Sequence, residues 1–541
     1  MQPESEKQFF SNNLPENQAN NFLKNFLLIA IGMLLAYFFL NNKPKIVNQS
    51  TKFDELLDII ERNYVDTLDF SKIENKAVAN LLATLDPHSI YIPKEDLIQS
   101  NEPLEGNFEG IGIEFFISND TLIVVAPISG GPSELAGIKS GDKIIQINDT
   151  IIAGKKISNA DVFKKLRGKK GTLVKLGVLK SNSSKITQVE IKRNTIQVNS
   201  VEKGILISDK TGYIKINSFG EKTYNEFRTE LAKLVGNKKI DKLVIDLRQN
   251  TGGYLETAVS ILDELIDQNK LLVYTKGRNY NTEKYITKTK GLFETGKIAI
   301  LIDEGSASAS EIMAGAIQDL DRGVVIGRRS FGKGLVQSQI SLSDGSAVRL
   351  TVAKYYTASG RNIQKPYKNN LEYEEEILKR YEKGEFFDDK NIKSEDTAVF
   401  YTLSGRKVKG GGGIYPDYFV SLDTNFDIHN YSILRSMIPD FIYSNHSQYL
   451  DLYKNYKSFE DFDNKYQVDA ATMNSFYQYV KNNKVAFKLN RINTFDKKLK
   501  MTLKAYIAKQ LYKSEGFYQI TNKTDLVIQK SIEILNPKIK L

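Results

Sequence analysis

Three serines at alternate positions, Ser306, Ser308 and Ser310, follow the apolar run Ile298–Ile302 and the breaker Asp303-Glu304-Gly305. The run is strand-like. From Ala307 onward, small residues with Ile312, Met313, Ala316 and Ile317 form a helical stripe. The serines therefore fall at or near a helix N-terminus, where free backbone N–H groups favour negative charge. A serine nucleophile whose reaction builds an oxyanion suits that place. Simple capping of the helix is the competing explanation. A nucleophile needs a base, and the chain has no Cys and only three His, at 88, 429 and 446, all outside this window. Lys333 is inside it, in Ser330-Phe331-Gly332-Lys333-Gly334, with Gln337 four residues on. A lysine buried among small and apolar residues loses solvation, its pKa falls toward neutrality, and it can take the serine proton. A separation of four places Lys333 and Gln337 on one face of a strand or a helix.

The same window holds a decoy. Gly327-Arg328-Arg329-Ser330-Phe331-Gly332-Lys333 follows the strand-like Val324–Ile326 and fits a P-loop up to its lysine. The next residue should be Ser or Thr to hold Mg²⁺, and it is Gly334. Leu335–Leu342 then alternates like a strand instead of opening a helix. Nucleotide binding is not expected.

Strands and helices must hold these residues. Tyr213–Ile216 and Leu243–Leu247 read as strands, the first followed by a helix marked by Tyr224, Phe227, Leu231 and Leu234. A Gly-rich turn ending in Gly252-Gly253 opens another helix, marked by Leu255, Val259, Leu262, Leu265 and Ile266. Alternating strands and helices argue an α/β core. At 541 residues the chain has room for about three or four domains. The net charge is +10, but basic and acidic residues are interspersed, so nothing supports a nucleic-acid partner. The lack of Cys excludes disulfides and thiol chemistry. Residues 1–21 are polar and expected to be disordered. Residues 22–40, apolar apart from Lys24, Asn25 and Tyr37, reach about 28 Å as a helix, enough for a bilayer core. Tyr37-Phe38-Phe39-Leu40 offers no small-residue cleavage site, so a retained transmembrane anchor is expected over a cleaved signal. Two amphipathic helices follow. The second carries a capping-box pattern at Ser71 and Glu74 and ends at Asp86-Pro87.

The serine run through Glu311, with Phe331-Gly332-Lys333-Gly334 and Gln337, resembles the active-site segment of the carboxyl-terminal processing proteases, or tail-specific proteases. The resemblance implies that Ser308 is the nucleophile, that Lys333, 25 residues later, is its base, and that Gln337 orients the lysine. Asp246-Leu247-Arg248-Gln249-Asn250-Thr251-Gly252-Gly253 resembles the family's Gly-Gly turn. The backbone N–H groups of Gly252, Gly253 and Ala309 are the oxyanion-hole candidates, with Arg248 and Asn250 as scaffolding. Leu85–Tyr91 resembles another family signature, in which His88 is read as structural. Ser359–Gln364 and Gly410–Asp417 also look family-like, although Ala358 stands where the family usually has Pro.

Residues 104–196 look like a PDZ domain. Its Gly110-Ile111-Gly112-Ile113 resembles the loop whose N–H groups hold a peptide's terminal carboxylate, and Ile113–Ile117 is the strand a peptide would extend. Arg167, at the end of the PDZ helix, is a solvated residue or a contact to the protease core. The expected architecture is multidomain α/β: anchor 22–40, helical segment 53–103, PDZ domain 104–196, crotonase-like protease core 197–425 with a charged, solvated insertion at 367–397, and helical region 426–541. The expected function is a membrane-anchored serine endopeptidase, facing the periplasm or cell exterior. It would capture exposed C-terminal tails and cut through a Ser308/Lys333 acyl-enzyme, with no metal or cofactor. A homo-oligomer or an adaptor is left open. The alternative is a non-catalytic PDZ scaffold of the cell envelope. That would need Gly110–Ile113 but not Ser308, Lys333 and Gln337 together.

Overall fold

The computed structural model describes residues 24–33 and 52–537, except 119, 181–182, 368–369, 393–397, 424–425, 453–454 and 486–494. The chain divides into two units, Met1–Glu74 and Asn75–Leu541. In the first, residues 24–33 form helix α1 and Lys52–Asn63 form α2, whose Asp58 pairs with Arg62 one turn on. Helix α3, Phe70–Ala83, crosses the division. The anchor expected at 22–40 lies partly outside the described residues. Among those described, no helix is long and apolar enough to cross a membrane.

The second unit is built on a six-stranded sheet in the order β10 (Ile205–Ser208), β11 (Thr211–Lys215), β12 (Lys242–Asp246), β15 (Lys297–Ile302), β16 (Val324–Gly327), β21 (Tyr418–Phe419). β11 through β21 run parallel, and β10 is antiparallel at the edge. Parallel strands are buried on both faces, which is why these read as unbroken apolar runs. Leu243, Ile245, Ile298 and Ile300 face helices α7 (Thr223–Lys238), α8 (Leu255–Asp263) and α9 (Ala309–Asp319). Val244, Ala299 and Leu301 point the other way and are covered by Val527, Ile528, Ile532 and Leu535 of the C-terminal helix α16 (Leu526–Leu535). Both active-site segments leave the C-terminal ends of this sheet's strands: the Gly-Gly turn follows β12 and the serine run follows β15.

An antiparallel sheet stands beside it. β18 (Ala347–Thr357) pairs with β1 (Ile90–Ile92), β17 (Leu335–Ser341) and β13 (Leu271–Lys276), and β14 (Glu283–Ile286) pairs with β13. Strand β17 carries Gln337 just past a bulge. Residues 107–197 close between β2 (Asn107–Gly110) and β9 (Asn194–Gln197). Between them lies a sheet ordered β3 (Ile113–Ser118), β4 (Thr121–Pro127), β5 (Lys143–Ile147), β7 (Leu173–Leu179), β8 (Ile186–Lys192), with β6 (Thr150–Ile151) on β5. Helices α4 (Leu97–Glu105), α5 (Pro132–Leu135) and α6 (Asn159–Leu166) accompany it. Helix α6 opens on a Ser158/Asp161 capping box. Strand β3 is a sheet edge, as strand addition requires.

The insertion at 367–397 is exposed over much of its described length, but it is not merely solvated. Within it, Tyr373, Arg380, Glu385 and Phe386 are buried. Helix α10 (Asn370–Glu382) brings Arg380 to donate to the carbonyls of Ser330 (3.0 Å) and Arg329 (2.7 Å). Glu385 accepts from Arg329 (2.7 Å) and Arg380 (2.8 Å). Lys365 Nζ sits about 4 Å from the rings of Phe331 and Tyr373 and 3.2 Å from Glu376. Composition made the segment read as surface; mutual pairing lets these charges be buried. A short hairpin, β19 (Val399–Tyr401) and β20 (Lys407–Lys409), follows. Beyond it, α11 (Ile428–Ser444), α12 (His446–Asp451), α13 (Phe459–Lys465), α14 (Ala470–Asn482) and α15 (Asp496–Thr521, broken at Tyr512 and Lys513) enclose an aromatic-rich core.

Candidate active site

The three serines separate by what they bind. Ser306 Oγ donates to the Leu247 carbonyl (2.9 Å) and accepts from Asp303 N–H (2.9 Å). Ser310 Oγ donates to the Asn250 carbonyl (2.9 Å). Both are buried and tie the serine run to the Gly-Gly turn. Ser308 is half-buried and opens into a cavity of about 580 Å³ shared with Gly253, Ile312, Lys333, Gln337 and Arg349. Its backbone, φ 55° and ψ −114°, lies in a region that L side chains avoid, at a cost of about 1–3 kcal/mol. The bonds of its neighbours hold it there.

Glu311 fastens this helix start to the lysine loop. Its Oε2 accepts from the N–H groups of Ser308 (2.8 Å) and Lys333 (2.8 Å). Its Oε1 accepts from Gly332 N–H (2.7 Å) and Ser330 Oγ (2.5 Å). Burial pushes its carboxyl up to about 7, against the pull of those donors. Tyr355 adds a second tie, its hydroxyl lying 2.8 Å from the Lys333 carbonyl and 3.2 Å from that of Ser308.

Lys333 Nζ donates to Gln337 Oε1 at 3.0 Å. Gln337 Nε2 in turn donates to the His88 carbonyl. Asp86 pins the His88 turn, accepting from His88 N–H (2.8 Å), Ser89 N–H (2.9 Å) and Ser89 Oγ (2.6 Å). The lysine ammonium is disfavoured first by loss of solvent and next by the Arg349 charge, so its pKa is lowered. The His88 ring meets Tyr373, with Nε2 2.8 Å from the hydroxyl, and burial drops its pKa to about 4. The ring is neutral at pH 7.

The three backbone N–H groups named from the sequence do not behave alike. Gly252 N–H is taken by Asn250 Oδ1 at 2.8 Å, so it is not a free donor. Gly253 and Ala309 N–H have no acceptor among the described residues. Gly252 serves instead by close approach: a Cβ there would lie 2.7 Å from the Ala307 carbonyl and 2.8 Å from Ser308 Cβ. At the PDZ loop, Gly110, Ile111 and Gly112 are buried and Ile113 half-buried. Gly112 has φ 71°, and the N–H groups of Ile111 and Gly112 have no acceptor among the described residues. Beside β3, the Phe115 ring meets that of Phe163 on α6, with centroids 5.4 Å apart. Arg167, just past α6, has its guanidinium over the rings of Phe163 on α6 and Phe108 on β2 and is ion-paired with Glu102 of α4. Among the described residues, no cluster of His, Asp and Glu could hold a metal.

From sequence alone Glu311 had no assigned role, although Ser308-x-x-Glu311 has capping-box spacing; the same spacing at Ser71 and Glu74 is no cap, since α3 starts at Phe70 and Asp69 accepts from Lys72 N–H at 3.3 Å. Nothing local marks the His88 carbonyl, in the turn before β1, or Tyr355, on β18, which reach the site from far along the chain.

The profile of peptidase family S41 matches residues 210–372, that of the PDZ domain residues 110–192, and that of a family of unknown function residues 428–513. A carboxy-terminal-processing protease of Bartonella bacilliformis is 35% identical over 328 residues, covering 60% of this chain and 74% of its own. The carboxy-terminal processing protease CtpB of Bacillus subtilis is 36% identical over 318 residues, covering 58% and 65%. Among solved structures, a photosystem II D1 C-terminal processing protease is 24% identical, with a TM-score of 0.35 over 68% of this chain and 92% of that one.

Proposed function

The chain belongs to the carboxy-terminal-processing proteases of peptidase family S41 and is a serine-type peptidase, and we propose that it captures protein C-terminal tails in its PDZ groove and cuts them with a Ser308/Lys333 dyad. The observation that carries this reading is the strained Ser308 in one cavity with Gly253 and a desolvated lysine, the N–H groups of Gly253 and of the adjoining Ala309 having no acceptor among the described residues.

Neutral Lys333 takes the Ser308 proton as Oγ attacks the scissile carbonyl. The oxyanion that forms accepts from Gly253 and Ala309 N–H. Protonated Lys333 then gives its proton to the leaving amine, and the C–N bond breaks to leave an acyl-serine. Lys333 then takes a proton from a water that attacks the ester and gives it to Ser308 Oγ as the C–Oγ bond breaks, which frees the serine. In the free site Lys333 Nζ is held by Gln337, so it must reach Ser308 Oγ when substrate enters; catalytic hydrogen bonds often tighten only at that stage.

A tail would extend β3, its carboxylate on the N–H groups of Ile111 and Gly112. Two copies of one unstructured substrate, with free and amidated C-termini, test this. Losing charge-assisted hydrogen bonds worth about 1.5–3 kcal/mol should lower kcat/KM roughly tenfold to a hundredfold. Equal cleavage of both would rule out tail capture. The apolar stretch Phe26–Leu40 supports a retained anchor over 22–40, and the resemblance to exported proteases alone supports a periplasmic or exterior protease, since Lys43, Lys45 and Lys52 after the span outnumber Lys7 and Lys24 before it. The mature protein should then fractionate with membranes and keep these residues. A soluble form starting near residue 41, read by mass spectrometry, would sink the anchor.

A further inference from the structure

The C-terminal helices lie outside the segment that matches the peptidase family, yet the carboxylate that caps one of them, Asp525, meets the turn that carries one of the two oxyanion donors, Gly253. Arg248 sits between two carboxylates. Its Nε and Nη2 donate to Asp246 at 3.0 and 2.7 Å. Its Nη1 donates to both oxygens of Asp525, at 3.0 and 2.8 Å. A guanidinium is planar and its N–H groups are fixed relative to one another, so two carboxylates on different edges lock both its position and its tilt. Asp246 alone would leave Nη1 without a partner in a largely covered site.

Asp525 is well placed to act as a reference point. It caps α16, accepting from Val527 and Ile528 N–H at 2.9 and 3.1 Å. That helix is pressed by Val527, Ile528, Ile532 and Leu535 onto Val244 of β12 and Ala299 and Leu301 of β15. These are the strands that lead into the Gly-Gly turn and the serine run. From Arg248 the constraint runs along the turn. The Arg248 carbonyl accepts from Lys215 Nζ (3.0 Å). Gln249, at φ 61°, is held by Asp303 through N–H (2.9 Å) and Nε2 (2.7 Å). The Asn250 carbonyl accepts from Ala307 N–H (3.0 Å) and Ser310 Oγ (2.9 Å). The turn is thus fixed against Ser308 at one end and against α16 at the other.

We propose that Asp525 is a positioning residue for the peptidase reaction: through Arg248 it holds the Arg248–Gly253 turn so that Gly253 N–H meets the oxyanion. The proposal rests on the Ser308 mechanism above and extends the catalytic support into the C-terminal helical region.

Three variants of the full-length protein test it. Asp525→Asn keeps a good helix cap but removes the charge from Arg248. Asp525→Glu keeps the charge, and Asp525→Ala loses both cap and charge. Displacing a reaction-field donor by a fraction of an ångström to an ångström costs on the order of tenfold to a hundredfold in rate. Asp525→Asn should therefore lower kcat about tenfold or more, with KM, melting temperature and the pH dependence of kcat/KM unchanged. The rate at which a serine-reactive fluorophosphonate labels Ser308 should fall by a similar factor. Asp525→Glu should recover most of the loss, and Asp525→Ala should add a lower melting temperature. Wild-type kcat in Asp525→Asn overturns the proposal. So does a loss shared by Asp525→Glu together with early melting, since Asp525 would then be only a cap. If cleavage by the parent protein survives Ser308→Ala, the underlying mechanism fails, and this proposal with it. If cleavage depends on Ser308 but not on Asp525, this proposal alone fails.

Discussion

Ser308→Ala is expected to abolish peptide cleavage, lowering kcat by more than about 10⁴-fold, as loss of an activated serine does elsewhere. The fold should persist. Ser308 is half-buried, and Ser306 and Ser310, not Ser308, provide the hydroxyls that tie the serine run to Leu247 and Asn250. Stability separates two contributions at this position. Alanine keeps a Cβ at φ 55° and should melt close to the parent, whereas glycine accepts positive φ freely. Ser308→Gly should therefore be as inactive as alanine but more stable, by about 1 kcal/mol if the strain lies in the usual range. Thermal melting beside a turnover assay reads both. Substantial cleavage by Ser308→Ala would remove Ser308 as nucleophile, and a Ser308→Gly variant less stable than Ser308→Ala would mean the backbone there is not strained.

Lys333→Arg should be nearly as damaging, at least about 10²–10⁴-fold in kcat, the usual worth of a general base. Arginine keeps the charge but cannot release a proton near neutral pH. The parent's pH profile carries the finer test. Burial and Arg349 lower the lysine's pKa, so kcat/KM should climb as pH rises through that lowered value. Glu311, held up to about 7 by burial, titrates nearby, and its ionised form favours the lysine's proton. The limb therefore belongs to the pair. Glu311→Gln should shift what activity remains toward lower pH, because the charge that favours the ammonium is gone.

Stability should follow the same titration. The folded pKa of Lys333 lies below its unfolded value of about 10.4, so between the two the unfolded chain binds the extra proton and stability rises with pH. Lys333→Met should therefore gain most over the parent below the folded pKa, and the gap should narrow as pH rises toward about 10.4. A gap that widens with pH would mean that the native site favours the ammonium. A Lys333→Arg protein with wild-type turnover would exclude the lysine as base.

What the linear chain determined was chemistry written in short windows. Serine run, lysine and glutamine lie within a span of about thirty residues, and the apolar runs around them are long enough to be buried parallel strands. Local pattern therefore placed Ser308 at a helix start and Gln337 on a strand, and the PDZ loop was legible through its resemblance to the family's Gly-rich carboxylate loop. The tertiary structure decided whatever depends on partners distant in sequence. The charged insertion read as solvent-facing until Arg329 and Arg380 were seen to share the Glu385 carboxylate inside. Gly252 looked equivalent to Gly253 until Asn250 claimed its N–H. Gln337 owes its orientation to a carbonyl 249 residues away, and Arg248 half of its side-chain hydrogen bonds to a carboxylate 277 residues away. Periodicity reports which face of an element is buried. It carries no information about which distant donor or acceptor will meet a given polar group, because that pairing is fixed only when the strands and helices assemble.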